Sequence, residues 1–226
     1  MRASLLATTF LAAALPTWAA DVQRAKSEPF EIADIHVERN DTDDDTEIVI
    51  DAVGGDEGLC QFFVFGPDRR LIFHFHNIDK MGQREFVIES PEPPGDAILA
   101  AYPVGLYRFR GQTCERQRLV NSARLSHDLP SPTVITSPPA DEEVSTDGLV
   151  IEWSAVPGVA EYILELENES ADPEQALTVN LPAGTTHFEV PASLVASGAD
   201  YQVGIGTVAN NGNVVFSEIQ FSTAAD

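Results

Sequence analysis

Leu149-Val-Ile-Glu-Trp153 alternates apolar and polar side chains, Pro157-Gly158 turns the chain, and Tyr162-Ile-Leu-Glu-Leu166 alternates again. A period of two puts Leu149, Ile151 and Trp153 on one face of a strand, and Tyr162, Leu164 and Leu166 on one face of the next. A helix would scatter these residues around its axis, because its period is 3.6 residues. Strands with one apolar face must bury it, so the stretch commits its surroundings to a layered β structure.

The pattern continues on both sides of it. Further strand-like runs cover 176–181, 186–190, 201–209 and 214–222, and Asn210-Asn-Gly212 is a hairpin turn signal. With the segment opening at Val134, the second half reads as seven strands, the last of which is expected to close its sheet. Thr136-Ser-Pro-Pro139, Asp147-Gly148, Trp153, Pro157-Gly158 and Tyr162, followed by Val195, Gly198 and Tyr201, resemble a fibronectin type III domain over 132–223. Ser197 and Ala199 stand where that family commonly has Pro and Thr. The resemblance implies a β-sandwich, with Trp153, Tyr162 and Tyr201 in the core and the Tyr201 hydroxyl folded back onto the chain as a tyrosine corner. It implies no ligand: the family includes adhesion modules, receptor spacers and arms of secreted bacterial glycosidases. The Arg-Gly-Asp tripeptide that some members carry is absent.

The first half also reads as about seven short strands, at 30–39, 46–53, 59–65, 71–76, 84–89, 105–111 and 118–127, with a short helix at 96–102. The alternation slips near Ala33-Asp34, which predicts a bulge. Cys60 and Cys114 are the only cysteines, an even pair that predicts one disulfide in an oxidising compartment. Closing a loop of about 55 residues, it would contribute about 4 kcal/mol in the chain-entropy model. The bridge resembles the inter-sheet bridge of immunoglobulin-like domains, without the core Trp those domains place against it. Residues 40–45, Tyr102-Pro-Val-Gly-Leu-Tyr107 and Leu125-Ser-His-Asp128 are similar to segments of exported bacterial proteins that pair an N-terminal β-domain with a C-terminal fibronectin type III domain.

The expected fold is therefore all-β, two tandem β-sandwich domains. Residues 1–20 form a signal peptide, with Arg2 ahead of an apolar run at 5–15 and small residues before a cut after Ala19 or Ala20. An immunoglobulin-like domain spans 21–128 with one disulfide, a Pro-containing linker 129–133, and a fibronectin type III-like domain 134–226. The chain is expected to be exported to the periplasm or beyond, and no apolar run is long enough to insert as a membrane-spanning helix.

Formal net charge is −23, unevenly placed. Residues 21–124 hold 20 acidic and 12 basic side chains, whereas 125–226 hold 16 acidic ones and no Lys or Arg. Such a surface repels phosphate backbones, which excludes nucleic acid as a partner.

Two groups of residues carry candidate chemistry. Asp41, Asp43 and Asp45 alternate in the turn 40–45, the spacing by which one loop aims oxygens at calcium. The flanking strands and the lack of Gly and Glu at the EF-hand positions also fit a solvated hairpin tip. His74 and His76 share a strand face and would need a third ligand to hold zinc or copper. There is no nucleophile elbow, zincin helix or phosphate loop. The sequence thus points to an exported, non-enzymatic interaction or structural module that binds a protein or cell-surface polymer. A calcium-stabilised carbohydrate-binding accessory module is the alternative, and a hydrolase site at the domain seam the third. No cofactor other than that calcium is expected.

Overall fold

A computed structural model describes residues 27–77, 81–91, 95–173 and 175–225. The expected signal peptide and its cleavage site lie outside these.

In chain order the strands of the first half are β1 (Ile32–Asn40), β2 (Asp45–Val53), β3 (Leu59–Phe65), β4 (Leu71–His76), β5 (Glu85–Glu89), β6 (Gly105–Thr113) and β7 (Arg118–Leu125), with helix α1 (Gly95–Ala101) between β5 and β6. Those of the second half are β8 (Ile135–Ser137), β9 (Glu143–Val144), β10 (Val150–Trp153), β11 (Glu161–Asn168), β12 (Gln175–Pro182), β13 (His187–Glu189), β14 (Asp200–Val208) and β15 (Val214–Thr223). The fold is all-β, as the alternation predicts.

Two apolar clusters form the cores. The first joins Ile35 and Val37 of β1, Ile48 and Ile50 of β2, Phe62 and Val64 of β3, and Tyr107 and Phe109 of β6. Phe62 is its hub, its ring centroid 5.0 Å from Phe86 and 5.6 Å from Phe73. The second gathers Ile151, Trp153, Tyr162, Leu164, Tyr201, Val203 and Phe221. In β11 buried residues occupy every second position, as one face of a half-buried strand should. Sheet β13–β10–β8 covers the β12–β11–β14–β15 layer, which is the sandwich the fibronectin type III resemblance implies.

Tyr201 accepts the Ala196 backbone N–H at 2.7 Å and donates to the Leu194 carbonyl at 3.1 Å. The expected corner is therefore formed. The first half has a related device: Tyr107, also fully buried, donates to the Pro103 carbonyl at 3.0 Å.

Three expectations are corrected. No bulge interrupts β1: Ile32 through Asn40 pair without a break against Val53 through Asp45. Ala33 takes the inward position and Ile32 turns outward, half exposed, because a ladder with nine consecutive partners outweighs one misplaced apolar side chain. The Cys60–Cys114 disulfide does form, but inside one sheet. Cys60 lies in β3 and Cys114 directly follows β6, its neighbour, where the register shifts between Leu59 and Gln61.

The third correction concerns β15. It is not the last strand of its sheet, because β1 lies parallel alongside it with Glu38, Arg39 and Asn40 opposite Val214, Val215 and Phe216. One continuous sheet thus runs β12–β11–β14–β15–β1–β2–β5 through both halves. Asn213 locks the junction. Fully buried, it accepts the Val37 N–H at 2.9 Å and donates to the carbonyls of Ser126 and Asp128 at 3.0 and 2.8 Å. The connecting segment is pinned as well. Thr207 donates to the Ser131 carbonyl, Ser217 to that of Thr133, and Thr133 to that of Ser154.

Candidate functional site

The acidic turn sits at this junction. Asn40 Oδ1 accepts the Thr42 N–H at 2.9 Å, an Asx turn that explains the Asn ahead of the acidic run. The Asn40 amide also donates to Glu218 Oε2 at 2.8 Å, the Glu218 N–H donates to the Thr42 hydroxyl at 2.9 Å, and the Asp41 N–H donates to the Phe216 carbonyl. The turn is therefore a clamp on β15. Its three alternating carboxylates have three different surroundings. Asp41 lies 3.6 Å from the Arg39 guanidinium, which also holds Asp44 at 2.6 Å. Asp43 faces the Asn40 amide, and Asp45 borders a shallow basin.

That basin encloses about 170 Å³ and spans both halves, with Glu38 and Glu47 on one side and Glu165, Phe216 and Glu218 on the other. Burial pushes the Glu165 carboxyl up, and the charges of Glu38, Glu167 and Glu218 add to the shift. Beside it, Asp34, His36 and Glu38 alternate along the outward face of β1. His36 Nδ1 lies 2.9 Å from Asp34 Oδ2 and Nε2 lies 3.0 Å from Glu38 Oε1. Burial would lower the His36 pKa, but the two carboxylates outweigh it and raise it to about 9. The ring is then a cation donating from both nitrogens. Asp51, across from Asp34 on β2, is raised by burial, while the His36 charge opposes the shift. Among the described residues, Asp34, His36 and Asp51 form the group able to offer three metal-ligating atoms within 4.8 Å of one another. Asp41, Asp43 and Asp45 are not brought together in this way. Sequence reasoning missed His36, although its signal, Asp-x-His-x-Glu at strand spacing, was present.

The opposite surface of the first sandwich differs in every respect. Strands β4–β3–β6–β7 carry no Asp or Glu at all, in a chain with 36 of them. Cross-strand register builds rows on the outer face. One runs His74, Phe63, Arg110, Val120, and the next His76, Gln61, Gln112, Arg118. The His74 ring stacks on Phe63 at 4.6 Å, and the Arg110 guanidinium lies 5.3 Å from the Phe65 centroid at cation–π range. A groove of about 630 Å³ runs along Phe63, Phe65, Arg110 and Arg118. Arg110, Arg118 and Arg124 pair with no carboxylate among the described residues. His74 and His76 thus belong to an aromatic and basic surface, and no Cys, Asp or Glu joins them there in a ligand group among the described residues. Trp153, Tyr162 and Tyr201, by contrast, are buried and offer nothing to a ligand.

No known family model matches the chain, and no curated protein does. Among solved structures it is similar to the FN1–FN3 domains of chicken CNTN1, with TM-score 0.32 and 11% identity over 88% of this chain and 65% of that one. It is also similar to a two-domain fibronectin type III segment of chicken tenascin, with TM-score 0.30 and 11% identity over 85% of this chain and 97% of that one. A third is a tetra-tandem repeat from the extending region of a large adhesion protein, with TM-score 0.29 and 11% identity over 86% of this chain and 50% of that one. The chain thus spans less than two thirds of the first and half of the third.

Proposed function

We propose that the chain is an exported, non-enzymatic interaction module that binds a protein or a cell-surface polymer through a β-sandwich face. One observation supports this reading above the rest: the outer face of β4–β3–β6–β7, where exposed Arg and His and half-buried Phe and Gln side chains line up on a carboxylate-free sheet. Arg and aromatic residues dominate the energetics of protein interfaces. The leader-like residues 1–20 and the disulfide support export. Catalysis has less to stand on. The carboxylates between the two halves border a basin of only about 170 Å³, small beside the ~300–1,000 Å³ typical of substrate sites.

The reading is tested by surface plasmon resonance against purified envelope polymers and surface proteins of the source, comparing the native chain with an Arg110→Glu/Arg118→Glu double variant. Binding to at least one, weakened tenfold or more by the charge reversal, is the expected result. Equal binding by both proteins, or none by either to any target with a second copy of this chain among them, would reject it.

A further inference from the structure

This inference rests on that reading and names the partner. We propose that the basic, aromatic face seats on the acidic outer face of a second copy of this chain, so that copies associate head to tail.

The first sandwich presents chemically opposite surfaces on its two sides. Its sheets share one core, so the outer face of β4–β3–β6–β7 and that of β1–β2–β5 point in opposite directions. On the first lie Arg108, Arg110, Arg118 and Arg124 without a single carboxylate. On the second, register places Asp34 beside Asp51, with Glu38 on β1 and Glu85 and Glu89 exposed on β5. The His36 cation there is already held by Asp34 and Glu38, and Arg39 is engaged by the acidic turn.

Each face also carries apolar surface to bury. Val120 and Leu106 are 44% and 38% exposed on the basic side, and Val87 and Ile32 are 57% and 50% exposed on the acidic side. Single-sign faces with apolar points between the charges are what two complementary protein surfaces require, since charge sets orientation and the apolar contacts supply binding energy.

Because the contacting surfaces differ, the association is heterologous, and one molecule can be gripped from both sides at once. Repetition gives rows rather than a closed two-fold dimer. The net charge of −23 opposes approach at long range. Salt near 0.15 M screens it beyond ~8 Å while leaving contacting pairs effective. Association therefore peaks at intermediate ionic strength and falls at both extremes.

Sedimentation velocity over a wide concentration range tests this on the intact chain. The native protein is expected to exceed the mass of a dimer as concentration rises. Two variants remain monomeric: Arg110→Glu/Arg118→Glu, which reverses the basic face, and Glu85→Arg/Glu89→Arg, which reverses the acidic one. Mixed in equal amounts they associate again, since the two intact faces pair with each other and the two reversed faces are complementary in turn, and that association also shows that both variants fold. A native chain that stays monomeric throughout, or that stops at a dimer, overturns the proposal, as does a mixture that fails to associate. A parallel titration with a soluble carboxylated polysaccharide separates the two readings. If the monomeric native chain binds it through Arg110 and Arg118, the second-copy proposal falls and the interaction face stands. If it neither self-associates nor binds the polymer or any other target, both fall.

Discussion

His36 is the residue whose chemistry the fold alters most. Burial favours its neutral form, and the carboxylates of Asp34 and Glu38 reverse that preference, holding the proton to about pH 9 against an ordinary value of 6.5. Below pH 6.5 the imidazole is charged in folded and unfolded chains alike, and the stabilisation is fully present. Between pH 6.5 and about 9 only the folded state keeps the proton, so stability falls as pH rises. The loss specific to this group amounts to roughly 3 kcal/mol, complete above the folded pKa. Asp51 and Glu165 are also raised, chiefly by burial, and their part in any pH dependence is common to the native chain and a His36 variant. Urea unfolding at pH 6 and pH 9.5 should therefore show a large drop for the native chain and a small one for His36→Gln. Equal drops would remove His36 from the account. The alternation of Asp34, His36 and Glu38 is visible in the sequence. Burial and the proximity of Asp51 are not, because they depend on β2 lying alongside.

Two elements carry most of the local specification. The loop into β14 is locked by Tyr201, whose buried hydroxyl accepts the Ala196 N–H and donates to the Leu194 carbonyl. Tyr201→Phe should cost about 1–3 kcal/mol, read from a chemical denaturation midpoint with an unchanged slope. A cost below a few tenths would mean that water replaces the hydroxyl. The fibronectin type III resemblance, carried here by Val195, Gly198 and Tyr201, implied this corner in advance. The comparable role of Tyr107 needed coordinates, since nothing in its local spacing distinguishes it from any inward-facing strand residue. The hairpin between β1 and β2 shows the converse. Its Asp-rich composition suggested a calcium loop or a free tip, and the fold uses it as a clamp on β15 through Asn40 and Thr42. Calcium would have to displace Arg39 from Asp41 and Asp44. Millimolar calcium is therefore expected to move the melting temperature by less than ~1 °C relative to chelator, since a ligand stabilises only in proportion to its occupancy of the folded state. A rise of several degrees would establish a calcium site at Asp41, Asp43 and Asp45.

At the scale of the whole molecule, the junction between the halves is a strand pairing rather than a contact of finished surfaces. The parallel pairing of β1 with β15 and the three hydrogen bonds of Asn213 make the two cores share a sheet. Calorimetry should therefore record one unfolding transition for the chain. Asn213→Ala leaves the Val37 N–H buried without its partner and should cost about 2 kcal/mol or more. Combined with Thr42→Val, which removes the acceptor of the Glu218 N–H, it should split the transition in two. Two transitions in the native chain would show that residues 21–128 and 134–226 fold independently across the linker 129–133. A single transition in the double variant would show that the coupling lies elsewhere.

Apart from β9 and the direction of Ile32, the sequence alone determined the strands, their inward residues, the one possible disulfide and the strong acidity. These follow from periodicity, from a cysteine count of two and from composition, all properties of local chain, while the Tyr201 corner came with the fibronectin type III resemblance. The tertiary structure decided which strands lie side by side. It placed β1 against β15, set Cys60 and Cys114 in neighbouring strands of one sheet, and sorted the charges onto opposite faces of the first sandwich. The physical reason is that strands pair through backbone N–H and C=O groups, which every residue carries alike. A period of two tells which side chains share a face, but not which neighbour that strand will find.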